Sequence, residues 1–158
     1  MKLAHFSDIH VTHFPLSGGF ALKRLAAVTS YSFAGRGKHF EGSDQRIAAL
    51  LAHVESQNVD HALCTGDLTG VATERELERA AELFGDRLRE PDRYTVIPGN
   101  HDRYVTSAAG LFEKHFATLC EGASFPAVKH LPSGVTLVLL DAARPTSLID
   151  SSGLIGEA

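Results

Sequence analysis

A chain of 158 residues with 44% apolar and 22% charged content has the make-up of one soluble globular domain, which excludes fibrous and disordered architectures. Its formal net charge of -4, fifteen Lys and Arg against nineteen Asp and Glu, gives no general attraction to nucleic acid or membrane, and no apolar run nears the roughly 18 residues of a membrane span. Cys64 and Cys120 lack metal-ligand spacing and read as buried thiols of a reducing compartment, with the cytoplasm as the expected location.

Residues 2–7 read as a strand covered on both faces. Glycine, basic and aromatic residues then dominate from 14 to 42, which marks an insertion with a helix expected around 20–33. Ile47, Leu50, Leu51 and Val54 follow at helical spacing, with Ser43 or Asp44 as N-cap and an end near Gln57. Residues 61–65 form a second apolar strand. Thr73 and Glu76 have the spacing of a capping box ahead of the stripe Leu77, Ala80, Ala81, Phe84. Tyr94–Ile97 is a third strand stopped by Pro98, and Leu111, Phe112, His115, Phe116 and Leu119 mark another helical face. Residues 125–131 and 135–140, joined by Pro132-Ser133-Gly134, read as a hairpin. The order β-α-β-α-β-α-β-β predicts an α/β fold whose first half is largely parallel. The end of the chain is polar and loop-like, and Gly156-Glu157-Ala158 resembles the first turn of a helix that stops.

Three motifs stand just past three of these strands: Asp8-Ile9-His10, Gly66-Asp67 and Gly99-Asn100-His101-Asp102. Ligands gather at the carboxyl ends of strands in parallel α/β sheets, so the topology predicts that the motifs converge. If Asp8 and His10 continue the first strand, residues two apart point the same way, about 6.6 Å apart along the backbone, and share one ion. Gly66 lets the chain approach closely at Asp67, whose two oxygens make it the candidate bridging ligand; Asn100 offers an amide oxygen to a second ion. Carboxylate, imidazole and amide oxygen together suit Mn, Fe or Zn, and a pair of divalent ions activates water and clamps a phosphoryl group. His101 is placed to protonate the leaving oxygen, with Asp102 to orient it. Arg103 is within reach of a substrate phosphate.

This ordered series resembles the calcineurin-like metallophosphoesterase superfamily, and Val135–Asp141 with Ser151-Ser152-Gly153 resembles its branch of bacterial cyclic-nucleotide phosphodiesterases. The resemblance implies a β-sandwich flanked by helices (α/β/β/α) and two divalent metal ions. It makes Asp8, His10, Asp67 and Asn100 the metal ligands, His101 the leaving-group acid or transition-state stabiliser, and Asp102 its orienting partner. It implies attack of a metal-activated hydroxide on a small phosphorylated substrate, a phosphodiester or phosphomonoester with cyclic nucleotides among them. The alternatives are a nuclease or lipid-pyrophosphate hydrolase of the same superfamily, or a protein-binding scaffold on the same fold.

Members of that superfamily complete the site with a histidine after a further strand and a Gly-His-x-His segment, and this sequence contains neither; His115 and His130, the only histidines after the central motif, lack the family's flanking residues. The chain is therefore expected to be the N-terminal portion of one metallophosphoesterase domain with its C-terminal part missing. Weak or no activity is expected of it alone, along with association through apolar surface that truncation would expose. The remaining histidines and basic residues carry plainer expectations. His5 reads as a satisfied core histidine, His13 as an exposed loop residue, and His39, His53, His61 and His115 as surface or packing residues. Lys23, Arg24, Arg36 and Lys38 read as a solvated loop, and Cys64 as a small buried hydrophobe.

Overall fold

Three short β-rich runs, each followed by a helix-forming segment, leave a parallel sheet as the simplest way to pair their backbones. The computed structural model describes residues 1–12, 42–147, 150 and 152–155. In chain order it contains β1 (Leu3–Phe6), α1 (Ser43–Ser56), β2 (His61–Cys64), α2 (Glu74–Phe84), β3 (Tyr94–Val96), α3 (Leu111–Phe116), β4 (Ala127–His130) and β5 (Thr136–Leu139). Strands β1, β2 and β3 pair side by side in that order, all parallel, with Phe6 opposite Cys64 and Cys64 opposite Val96. Strands β4 and β5 form a separate antiparallel pair. The fold is α/β, as the element order predicts. The expected insertion at 14–42, with His13, Lys23, Arg24, Arg36, Lys38 and His39, lies outside the described residues apart from Gly42, as does the terminal Gly156–Ala158 turn.

One core joins the two sheets to the helices. Ile47, Leu51 and Val54 of α1, Leu77 and Phe84 of α2, and Phe112 and Phe116 of α3 meet Ala62, Cys64 and Val96 of the sheet and Leu139 of β5. Phe116 lies edge-on to Phe84 and stacks on Phe112, with centroids 5.6 and 5.4 Å apart, arrangements that aromatic quadrupoles favour. Both cysteines are free and buried, and burial pushes the thiols up to about 12 for Cys64 and about 11 for Cys120, so both stay protonated.

Several local expectations are met in detail. The capping box forms: Thr73 Oγ1 accepts from the Glu76 amide at 3.1 Å and Glu76 Oε2 accepts from the Thr73 amide at 3.0 Å. The hairpin closes where Leu131 N donates to Val135 O at 2.8 Å and Gly134, with φ of 84°, takes the left-handed position of a three-residue loop. Other expectations need correction. Gly42, with φ of 72°, occupies the N-cap of α1 without a side-chain cap; Ser43 is the first helical residue, and the Asp44 carboxylate pairs instead with Arg79 Nε at 2.8 Å. Among the described residues β1 lies at the edge of its sheet, and Leu3 and His5 are exposed rather than covered. His5 is nonetheless satisfied, its Nε2 lying 2.8 Å from Thr65 Oγ1.

Candidate active site

Beyond the last paired residues of β1 and β2, the two chains stay zipped together. Asp8 N donates to Gly66 O at 3.1 Å, His10 N to Asp67 O at 3.0 Å and Val11 N to Leu68 O at 2.7 Å, and Val11 bridges Thr69. This zipper carries the first two motifs to one place at the carboxyl end of the sheet. Asp8, His10 and Asp67 have left-handed backbones, with φ of 57°, 43° and 55°. Such conformations cost on the order of 1–3 kcal/mol each in non-glycine residues and persist only where the surroundings over-determine them. The convergence of Asp8 and His10 is therefore real but does not come from strand alternation. Both lie past β1, and the turned backbone brings Asp8 Oδ1 to 3.8 Å from His10 Nε2.

The third loop is pressed against the second. Gly66 has φ of 96°, and a Cβ there would fall 2.7 Å from the Pro98 carbonyl carbon and closer still to the Gly99 backbone; a Cβ on Gly99 would collide with Asp67 Oδ1. His101 N donates to the same Asp67 Oδ1 at 2.9 Å. Asn100, half-buried, thus lies between two residues whose backbones touch the Asp67 carboxylate. Asp8, at the outer edge and receiving a hydrogen bond from Ser7 Oγ, is 64% exposed, so the cluster opens to solvent.

Each imidazole is tethered through Nδ1 to a backbone carbonyl, His10 to Thr69 O at 3.0 Å and His101 to Gly70 O at 2.6 Å. A carbonyl only accepts, so Nδ1 carries the hydrogen and Nε2 is the atom left for chemistry in both rings. The rings meet edge-on with centroids 4.9 Å apart, and the far face of the pair is closed by Tyr104, whose ring lies 5.3 Å from that of His101. Thr69, Gly70 and Tyr104 were not foreseen from sequence. A carbonyl leaves no mark in a sequence, whereas an aromatic residue three past His101 was a signal open to reading.

Asp102 does not orient His101. It is fully buried, and its oxygens accept from Gly99 N at 2.9 Å, Leu68 N at 3.2 Å, Thr69 N at 2.9 Å and Thr69 Oγ1 at 3.1 Å. It fastens the loop after β3 to the loop after β2. Burial pushes its carboxyl up to about 6, opposed by the amides of Gly99 and Leu68 and reinforced by the nearby negative charge of Asp67. Arg103 is also committed elsewhere. Its Nε lies 2.9 Å from Asp141 Oδ2, its terminal nitrogen lies 2.6 Å from Glu113 and 2.8 Å from Asp141, and its guanidinium sits 5.9 Å from the Phe112 ring centroid. It ties the site loop to α3 and to the chain after β5 rather than awaiting a phosphate.

The donor set fits a divalent cation. One ligand atom from each of Asp8, His10 and Asp67 lies within 4.8 Å of the others, and two carboxylates with one imidazole are the donors of borderline divalent metals. No helix among the described residues is long and apolar enough to cross a membrane.

A search of curated proteins finds no match to this chain. A model of the calcineurin-like phosphoesterase family matches residues 1–149, a span that takes in all three site loops and both sheets. The chain belongs to the calcineurin-like phosphoesterase family.

Proposed function

We propose that this chain is a divalent-metal-dependent phosphoesterase, with small phosphodiesters as the favoured substrate class, cyclic nucleotides among them, and the cytoplasm as its place of action. The observation that carries the reading is the mutual approach of Asp8, His10 and Asp67 at a solvent-open edge of the sheet, inside the region matched by the family. Asp8, His10, Asp67 and Asn100 would hold the divalent cations, Mn, Fe or Zn being the ions such donors select. Bound there, divalent cations supply Lewis acidity to water and to the phosphoryl oxygens.

The chain's own residues do the rest. Asp8 and Asp67 concentrate negative charge that repels a bare phosphate, so substrate binding is tied to cation binding. His101 keeps its Nδ1 hydrogen on Gly70 O, so Nε2 gives a proton to the departing oxygen only from the doubly protonated imidazolium, and the ring returns to the neutral Nδ1–H form with Nε2 as a bare acceptor. Four ligand residues shared between two ions make a sparse set, and millimolar rather than trace metal is expected to be needed for activity.

Hydrolysis of bis(p-nitrophenyl) phosphate with added manganese by the full-length protein tests this, beside Asp67→Ala. The expected result is metal-dependent turnover that falls by at least about 100-fold in the variant. Equal rates in the two proteins overturn the enzyme reading. A faster reaction on p-nitrophenyl phosphate than on the diester or on cyclic nucleotides overturns the substrate class alone.

A further inference from the structure

His101 is held at one point by the 2.6 Å contact of Nδ1 with Gly70 O. A single hydrogen bond leaves the ring free to rock about the bonded atom, and the edge contact with His10, at 82° between planes, blocks the swing on one side only. The other constraint is Tyr104. Its ring lies nearly parallel to the imidazole, 17° between planes with centroids 5.3 Å apart. Residues 101–103 are turn, so this pairing is not the ordinary i, i+3 neighbourhood of a helix.

Tyr104 is itself well seated. It packs against a small apolar cluster of Ala72, Val105 and Ala108, separate from the main core. Ala72 belongs to the same loop as Gly70, and its amide donates to Thr69 Oγ1 at 3.2 Å, while Thr69 Oγ1 lies 3.0 Å from His101 O. The loop that supplies the hydrogen-bond tether thus also supports the ring that supplies the stacking. Both constraints on the imidazole thus draw on the same loop.

We propose that Tyr104 is a positioning residue that fixes the plane of the His101 imidazole by stacking, so that Nε2 faces the side where Asp8, His10 and Asp67 converge. The consequence for turnover rests on the phosphoesterase reading; the fixed ring plane does not. The ring face, not the phenol, does the positioning, so phenylalanine replaces tyrosine and an aliphatic side chain does not.

The test uses the whole chain as Tyr104→Phe and Tyr104→Leu, with Tyr104→Met in place of the latter if thermal unfolding shows that leucine disrupts the fold. In proton NMR, the carbon-bound ring resonances of His101, identified by their loss in His101→Gln, are expected upfield under the tyrosine ring current. They should stay there in Tyr104→Phe and move downfield toward free-histidine values in the aliphatic variant. With bis(p-nitrophenyl) phosphate and manganese, the aliphatic variant should lose about 10- to 100-fold in kcat with KM and manganese affinity unchanged, and Tyr104→Phe should stay within about twofold of the parent. Unmoved His101 resonances in the aliphatic variant, or an equal kcat loss in Tyr104→Phe, overturn the proposal. Should the full-length parent hydrolyse nothing, the phosphoesterase reading fails, and the resonances then decide for or against the stacking of Tyr104 on His101.

Discussion

The loops at the carboxyl end of the parallel sheet and the β4–β5 hairpin are built on opposite plans. In the loops, three non-glycine residues take left-handed backbones within ligand distance of one another, and a fully buried carboxylate, Asp102, holds the segments with four accepted hydrogen bonds. In the hairpin the register is regular, the turn glycine has the conformation its loop type requires, and inward Lys129 and Leu139 alternate with outward Val128 and Val138. Strain sits where the chemistry is proposed, and it is sustained by contacts between residues more than thirty apart in sequence. The turn and register of the hairpin need only local rules. Interference with the loops should therefore damage the site out of proportion to its size, and interference with the hairpin should register only as stability.

The largest effect is expected from one methyl group. In Gly99→Ala the added carbon collides with Asp67 Oδ1, and manganese-dependent hydrolysis should fall by more than about 100-fold while far-UV circular dichroism is retained. Next comes Asp102→Ala, which strands donors at Gly99, Leu68 and Thr69; urea unfolding should show a loss of about 3 kcal/mol, with activity falling alongside. Asp67→Ala in the same assay should lose activity with a much smaller change in stability, which separates the clamp from the ligand.

The hairpin supplies the contrast. Lys129 is buried, its Nζ donating to Tyr94 O at 3.0 Å and Leu119 O at 3.1 Å. Lys129→Met should cost about 1–3 kcal/mol by urea unfolding and leave the metal dependence of hydrolysis unchanged. A loss of manganese binding there would show that the two regions are not independent.

A pH series sharpens the comparison from the sheet between them. His61 is buried and neutral, its Nδ1 donating to Asp92 O at 2.9 Å and its Nε2 facing Thr95 Oγ1 at 2.9 Å; burial holds the imidazole below 6.5, against the pull of that carbonyl. The unfolded chain takes up this proton at 6.5 while the folded chain does not, so unfolded molecules bind more protons in the window just below. Stability should accordingly fall as pH drops through that window, and His61→Gln should flatten the dependence in urea unfolding. The smallest effect is expected at Val138, 65% exposed, where Val138→Thr should change stability by less than about 0.5 kcal/mol.

Much of this was legible in the sequence where one local rule decides. The capping box at Thr73 and Glu76, the glycine turn at 134 and the helical stripe through Phe84 each follow from spacing alone, and each is present. The approach of Asp8 and His10 was also legible, but for a reason that does not hold, because left-handed backbones rather than strand alternation bring them together. Asp102 and Arg103 were misread for a common physical reason. A charged side chain beside a motif looks available in one dimension, whereas folding offered Asp102 three backbone amides and Arg103 two carboxylates. The carbonyls of Thr69 and Gly70, which select the tautomers of both imidazoles, are invisible in any sequence because every residue carries one.

The central claim is that the strained loops exist to bring Asp8, His10 and Asp67 around a cation. Crystals grown with manganese and measured for anomalous scattering address it without reference to turnover. The account predicts the strongest anomalous peak among those three side chains, lost in Asp67→Ala. A manganese peak elsewhere in the protein, with that cluster bare at saturating metal, would contradict it.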